Sequence, residues 1–490
     1  MNQKEILQTV SKTAIIVSVL LAVVIIILLT LGWYKLYREE EQGEFSTPEE
    51  LFKYGSIGSE TSQGIPYWIW LVMPKMFPEH LPALGGWASL GLPWEQGKEL
   101  PVGFSKKTIG FPRVAFNCAF CHAARYRLEP TDVPTIVVPG PSHTVHAQGY
   151  ARFLAAAAND ARFNSDEILS QIDRIYKLSW LDKLLYRFII IPQTKKSLIQ
   201  YGERFAWAEQ KPDWGPGRID PFNPIKFGVL QMSIDETIGN SDMPPIWNMK
   251  ARANHALHWD GLNTNFHEVV VSSAIGDGTT YESYPEKNMK KIEQWLQEVP
   301  TPKSPFSSEL SSDSSFYLNT DLAEHGKTIF NQHCASCHAP DGEKTGKIIP
   351  VTELGTDRHR VDMWTAEAAK RYNTYEKNHD WGMRNFQDVD GYVAVLLDGI
   401  WLRGPYLHNG SVPTLKDLLR KAEDRPEKFF RGYDLIDPKN IGFVSSGAMA
   451  EKVGVLYDTK VSGNSNVGHN YGTDLPEDQK EALLEYLKTL

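Results

Sequence analysis

Two pentapeptides constrain this chain more than anything else in it. Cys118-Ala119-Phe120-Cys121-His122 and Cys334-Ala335-Ser336-Cys337-His338 hold all four of its cysteines. A Cys-x-x-Cys turn sets two thiols on one side of a nascent helix, where they can add to the two vinyl groups of a haem. The histidine that follows lies beneath the ring and offers an imidazole to the iron. A redox dithiol, a structural disulfide or a shared zinc site would use the same cysteines, yet none of these needs a histidine beside each pair. With 14 His in 490 residues, two accidental placements have a joint chance of about one in a thousand. The pattern therefore predicts two covalently attached c-type haems, with Cys118, Cys121, Cys334 and Cys337 as attachment points and His122 and His338 as proximal ligands. Whether calcium accompanies them is left open by the sequence.

The rest of the composition is that of a folded, aromatic-rich protein, 42% hydrophobic and 11% aromatic, with length for two or three domains. A net charge of −9 offers no basic footprint for a phosphate backbone, so nucleic acid is not an expected partner.

Residues 14–33, AIIVSVLLAVVIIILLTLGW, form a run of 20 without a charge, long enough to span a hydrocarbon core of about 30 Å as a helix. A buried core helix would show an amphipathic face, and this run has none. A cleavable signal peptide would have a shorter apolar region of about 7–15 residues and a small-x-small cleavage site. The reading is an uncleaved anchor. Lys4 and Lys12 on one side balance Lys35 and Arg38 on the other, so the flanking charges leave its orientation undecided. Haem attachment of this kind is completed outside the bacterial cytoplasmic membrane, which orients the N-terminus inward and the haem domains toward the periplasm.

Gly and Pro turns break residues 35–299 into short periodic stretches, with helical patterns clearest at 146–160, 166–188 and 286–298. Residues 300–315, PTPKSPFSSELSSDSS, lack apolar periodicity and read as an exposed linker. The expected organisation is a cytoplasmic stub 1–13, an anchor 14–33, an N-terminal haem domain 34–299, the linker, and a C-terminal domain 316–490. The fold class expected is mainly α, two cytochrome c-like domains behind one transmembrane helix.

The run AEHGKTIFNQHCASCHAPDG (323–342) and the closing LLEYLKTL resemble the first helix, haem turn and last helix of a class I cytochrome c. That resemblance implies a sixth ligand shortly before the last helix, where His469 stands in GNSNVGHNYGTDL. His408 in RGPYLHNGSVPTL is a second candidate, and Met449, Met383, His359 and His379 are also available.

A wider resemblance covers about 35–490. The order of first haem motif, His258-Trp259-Asp260-Gly261, second haem motif and GPYLHNGSVPTL is similar to the bacterial dihaem cytochrome c peroxidase superfamily. His-Trp-Asp-Gly, GNSNVGH and YGSIGSE are most similar to its rubber oxygenase A branch. The resemblance implies that Trp259 stands between the haems as an electron relay; a plain core tryptophan is the alternative. The peroxidases of the superfamily carry a Gln and a Glu about ten and twenty residues after this Trp, where this chain has Val269 and Thr279. Without that Glu, a positioned proton transfer typically worth 10²–10⁴ in rate is missing. Glu268 and Glu282 are nearby substitutes, or else surface acids. The stretch VVVSSAIGDG offers a mainly apolar lining, closer to an oxygen-binding pocket.

No residue is an evident sixth ligand for the first haem. His143, His146, His255, His258 and His267 are read as hydrogen-bonded scaffold, which leaves that iron open to peroxide or dioxygen. The function expected is a membrane-anchored periplasmic dihaem oxidoreductase, peroxidase-like, exchanging electrons with a small redox protein. A pure electron carrier, a haem-dependent oxygenase of a hydrocarbon, and a sensor or scaffold are the competing classes.

Overall fold

An uninterrupted apolar run with no polar face has no reason to fold back on the body, and it becomes part of one helix, Gln3–Leu36. Within it, Ala14–Leu36 is long and apolar enough to cross a membrane. The structure, a computed structural model, describes residues 3–312, 314–375 and 382–490. This helix runs straight into the body. The main-chain N–H of Gly110 donates to Arg38 O at 2.7 Å and that of Glu40 to Thr108 O at 2.9 Å. Gly110 sits at φ +72°, and a Cβ there would collide with the backbone of Leu36.

The N-terminal half builds on a three-stranded antiparallel sheet, with Phe111–Phe116 between Ile65–Pro66 and Phe104–Ile109. Val114 faces Ile65 on one side and Lys106 on the other. Helices Tyr67–Met76 and Ala147–Asn159 close over it. Trp70, Phe104, Tyr150 and Phe153 fill the space between, and the Trp70 ring stacks on Trp87 with centroids 4.7 Å apart.

The patterns at 146–160 and 286–298 correspond to helices Ala147–Asn159 and Glu286–Glu298. The expected helix at 166–188 is instead two, Ser165–Asp173 and Trp180–Leu185, followed by a π-helical turn Tyr186–Ile190 and a further helix Ile191–Phe205. Ser179 is the reason. Its backbone is extended and its Oγ accepts the N–H of Asp182 at 3.1 Å, so it starts a new helix.

In the C-terminal half, helix Thr320–His333 crosses the closing helix Glu477–Leu487 so closely that a Cβ on Gly326 would collide with the Ala482 carbonyl. Phe330 and Tyr486 meet beside the crossing at 5.1 Å. Ile329, Trp401, Leu483 and Leu484 are buried beneath. Short two-stranded ribbons complete a mainly helical molecule.

The stretch 300–315 does not hang free as an exposed linker. Phe306 is buried against Phe316, and Ser304 Oγ donates to the Lys488 carbonyl at 2.6 Å. Its described residues belong to no helix or strand, but one apolar ring is enough to seat them. Buried polar contacts also lock the halves together. Arg431 pairs with Asp242 at 2.7 Å, Arg125 with Asp434 at 2.6 Å, and Arg218 donates to Asn464 Oδ1 at 2.7 Å and Tyr457 OH at 2.9 Å.

Candidate functional site

Both cysteine motifs are local turns with separate supports. Asn117 caps the first: its Oδ1 accepts the Ala119 N–H at 3.0 Å, while its Nδ2 donates to Gly55 O at 2.9 Å. The second follows directly from helix Thr320–His333 and turns through Ala335–His338. In each, the histidine N–H returns to the carbonyl of the first cysteine, at 3.1 Å for His122 and 3.0 Å for His338.

The two imidazoles are held alike. His122 Nδ1 donates to Pro244 O and His338 Nδ1 to Val395 O, each at 2.7 Å. A carbonyl can only accept, so Nδ1 carries the proton and Nε2 keeps its lone pair for a metal. Burial favours the neutral rings, holding His122 down to about 4 and His338 below its ordinary value. The thiols are shifted the other way. Burial and the Asp277 charge push Cys118 up to about 12 and Cys121 well above its ordinary value, and burial lifts Cys334 to about 11. No S–S bond joins either pair. Neutral thiols suit neither a redox dithiol nor a thiolate zinc site.

His469 faces His338 with ring centroids 6.2 Å apart and planes at 45°. An iron between two imidazoles, with each nitrogen roughly 2 Å away and each ring centre about 1 Å beyond, needs about 6 Å. The loop that carries His469 is pinned by Arg425, whose Nη1 donates to Gly468 O at 2.8 Å and Asn466 O at 2.5 Å. His469 itself sits at φ +49°. His408 lies elsewhere. It is buried, stacked on Tyr392 at 3.9 Å, and its Nε2 shares a 2.9 Å hydrogen bond with Tyr392 OH. Of the spare candidates, His359 lies between Asp357 and Ser462, at 3.0 and 2.8 Å. Met383 is buried in an apolar cluster, Met449 is 52% exposed, and His379 lies outside the described residues.

Trp259 bonds to two segments, each of which holds one proximal histidine. Its indole Nε1 donates to Asp242 O at 2.8 Å, two residues before Pro244, the acceptor for His122. Its own carbonyl accepts the Val393 N–H at 2.9 Å, two residues before Val395, the acceptor for His338. The tryptophan is thus tied by short backbone steps to both proximal histidines. The adjacent Asp260 forms a buried ion pair with Arg360 at 2.9 Å.

The two acids named from the sequence divide. Glu268 is buried at the start of helix Phe266–Gly276 and accepts four hydrogen bonds, from Asn263 Nδ2, the Arg384 and Asn385 N–H groups, and Asn385 Nδ2. That carboxylate holds two segments together. Glu282 lies on an exposed turn. Sequence reasoning missed Asp277, which caps the same helix. Burial raises its carboxyl to about 7, and its charge acts on Cys118, Cys121 and Tyr201. Its place inside VVVSSAIGDG was the available signal, but that stretch reads as apolar.

Several histidines near the first motif have other partners. His146 caps helix Ala147–Asn159, accepting from Gly149 N–H at 3.0 Å; His267 pairs with Glu293 at 2.8 Å; His143 stacks on Phe443 at 3.6 Å. His255 packs against Gly346. His258 differs. Its ring lies between Phe222 and Phe386, its buried Nε2 has no hydrogen-bond partner, and the nearby His122 adds to the burial that holds it down to about 3. It sits at φ +68°, a region a non-glycine residue occupies only under constraint.

These residues fit covalent haem. Two thiols sit one turn apart in each motif, each proximal ring presents a free Nε2, and a buried guanidinium nitrogen, Arg360 Nη1, has no protein partner where a haem propionate would supply one. The acidic cluster Glu79, His80 and Asp160 is not an equivalent site for calcium, since the Arg162 guanidinium already pairs with both acids.

A cavity of about 380 Å³ adjoins the first motif. Phe116 and Tyr150 line it and pack on Phe120 of the motif. Leu36, Ile189 and Ile190 bound it toward the anchor.

Comparison with known proteins places residues 391–431 in the family described as RoxA-like, cytochrome c-like, and residues 323–390 in cytochrome c. Two proteins of Sinorhizobium fredii are similar. The uncharacterized protein y4iM is 28% identical over 296 residues, 51% of this chain and 64% of its own length, a little under two thirds. The uncharacterized protein y4iJ is 26% identical over 479 residues, 77% of each chain.

Proposed function

We propose, from the premise that the C-terminal part of the chain is a RoxA-like cytochrome c carrying covalent c-type haem, that the protein is a membrane-anchored dihaem oxidoreductase of the dihaem peroxidase superfamily. In this reading the second centre exchanges electrons with a small redox protein, and the first meets peroxide or dioxygen. Haem supplies an iron that exchanges one electron and, where its sixth position is open, binds such an oxidant.

The chain's own residues do the rest. His122 and His338 ligate, kept in one tautomer by Pro244 O and Val395 O. His469 closes the second centre against small ligands. Its basis is the 6.2 Å spacing, and His408, paired with Tyr392, serves as scaffold. His258, near His122 and with a buried Nε2 that has no hydrogen-bond partner, would offer that nitrogen to an oxidant held at the first centre. Asp277 is the proton donor in place of the peroxidase glutamate, while Glu268 and Glu282 are not used. The observation that carries this reading is the double tie of Trp259 to the acceptors of both proximal histidines, which suits a relay and which a plain core tryptophan does not need. Because haem is attached on the outer side, the haem domains face the periplasm.

The test is a mass and an absorption spectrum. The denatured protein carries two haem additions, Cys118→Ala and Cys334→Ala each remove one, and cyanide shifts one haem only. Two low-spin, cyanide-insensitive haems would leave a pure electron carrier. A second reading, an oxygenase of an apolar substrate, is favoured by Val269 and Thr279 at the peroxidase positions. Oxygen consumption on an added hydrocarbon, without peroxide turnover, selects it.

A further inference from the structure

Beside the foot of the anchor lies an exposed apolar ridge that neither haem centre uses. Trp180, Leu184 and Phe188 recur four residues apart through helix Trp180–Leu185 and the π-helical turn, so they share one face. They are 75%, 45% and 69% exposed, and Ile189 beside them is 45% exposed. Large apolar side chains grouped on one elbow of a water-soluble body are costly to hydrate.

The anchor says what covers them. Lys35, one residue from the end of the 23-residue apolar span Ala14–Leu36, pairs with Asp182 on the elbow helix at 2.8 Å. Arg113 Nη2 donates to the Leu36 carbonyl at 3.4 Å, and the chain enters the hairpin at Gly110 directly, so no slack tether separates span from body. At about 1.5 Å per residue the span exceeds a hydrocarbon core of about 30 Å by less than one turn. Lys35 and Asp182 are therefore at the level of the lipid headgroups, and the ridge is beside them. Lys183 and Arg187 lie next to the ridge, with apolar stems and charged ends held by Asp173 and Asp166 at 2.8 and 2.5 Å, an arrangement suited to an interface.

We propose that the elbow, residues 175–190, is a second membrane contact that dips Trp180, Leu184, Phe188 and Ile189 into the outer surface of the bilayer crossed by the anchor. The contact rests on the anchor reading above and deepens it. It fixes the orientation of the haem domains on the membrane, and it brings the cavity bounded by Leu36, Ile189 and Ile190 to the lipid surface.

The test uses the full chain in nanodiscs containing a phosphatidylcholine with a photoactivatable diazirine in its acyl chain, followed by peptide mass mapping. Lipid adducts are expected on the anchor and on residues 175–190, and Trp180→Ser with Phe188→Ser lowers the elbow adducts at least fivefold without changing those on the anchor. Adducts confined to the anchor overturn the proposal, including the case in which a second copy of the chain covers the ridge. Adducts spread equally to remote exposed residues such as Val133, 88% exposed, overturn it too. A chain that elutes free of discs with no adducts anywhere instead refutes the anchor, a separate outcome.

Discussion

The indole Nε1 of Trp259 donates to the main-chain carbonyl of Asp242 at 2.8 Å, and through that bond the tryptophan reaches the segment that holds His122. The bond needs an indole; a benzene ring of similar bulk leaves the Asp242 carbonyl without it. Replacing Trp259 with Phe removes one hydrogen bond, worth about 1 kcal/mol, and the relay with it. Both haem spectra stay as they are, while electron transfer between the centres slows at least about tenfold, equivalent to roughly 1.4 kcal/mol on the barrier. Stopped-flow reduction monitored at each Soret band reads this directly, and an unchanged rate removes Trp259 from the path.

His469 and His408 make opposite predictions. His469→Ala opens the second centre, which becomes high-spin and binds cyanide. His408→Ala leaves its spectrum intact and instead removes the hydrogen bond shared with Tyr392 OH, which still donates to Asp357 O at 2.7 Å, at a cost of about 1 kcal/mol in stability. Denaturant unfolding and low-temperature electron paramagnetic resonance separate the two. A high-spin signal from the His408 variant would exchange their roles.

Asp277→Asn lowers peroxide turnover by about 10²–10⁴, the usual contribution of a positioned proton donor, and removes the limb of the pH–rate profile near 7. Stability responds as well. Burial raises this carboxyl from an ordinary value of about 4 to about 7, so the folded state binds the proton more tightly. The stabilisation is complete below about 4 and disappears as pH rises through about 7. The Asn variant loses that slope. Equilibrium unfolding at pH 5 and pH 8 compares them, and equal slopes would show that Asp277 is ordinarily hydrated.

His258→Phe keeps the aromatic contact with Phe222 and Phe386 but removes the unpartnered Nε2. Cyanide bound at the first centre loses one hydrogen bond, and its affinity falls about five- to tenfold. A titration that finds no change places His258 outside the pocket.

Gly326→Ala tests the helix crossing. The added methyl group meets the Ala482 carbonyl, and the helices must part, costing about 1–3 kcal/mol. Thermal unfolding followed at the second haem's Soret band falls in temperature while the first haem's spectrum is unchanged.

The sequence by itself determined what lies close along the chain. Each cysteine pair and its histidine form one turn, so their chemistry was legible without a fold. The apolar run was legible as a helix long and apolar enough to cross a membrane. The closing helix was readable from its own periodicity, and the resemblance to a cytochrome c made His469, ahead of that helix, a ligand candidate. Tertiary structure decided everything that depends on partners far away in sequence. The acceptors of His122 and His338 are the backbone carbonyls of Pro244 and Val395, and a carbonyl has no residue type to recognise. Glu268 resembled a free acid until the loop at 384–385 closed on it with three donors. Asp277 resembled a helix cap until burial beside the first cysteine pair changed its proton affinity. The break at Ser179 was hidden because the apolar stripe continues across it. The long apolar helix and the elbow are joined by Lys35 and Asp182, 147 residues apart. Local patterns record which side chains share a turn. Burial and long-range hydrogen bonding, which set what those side chains can do, exist only once the chain has folded.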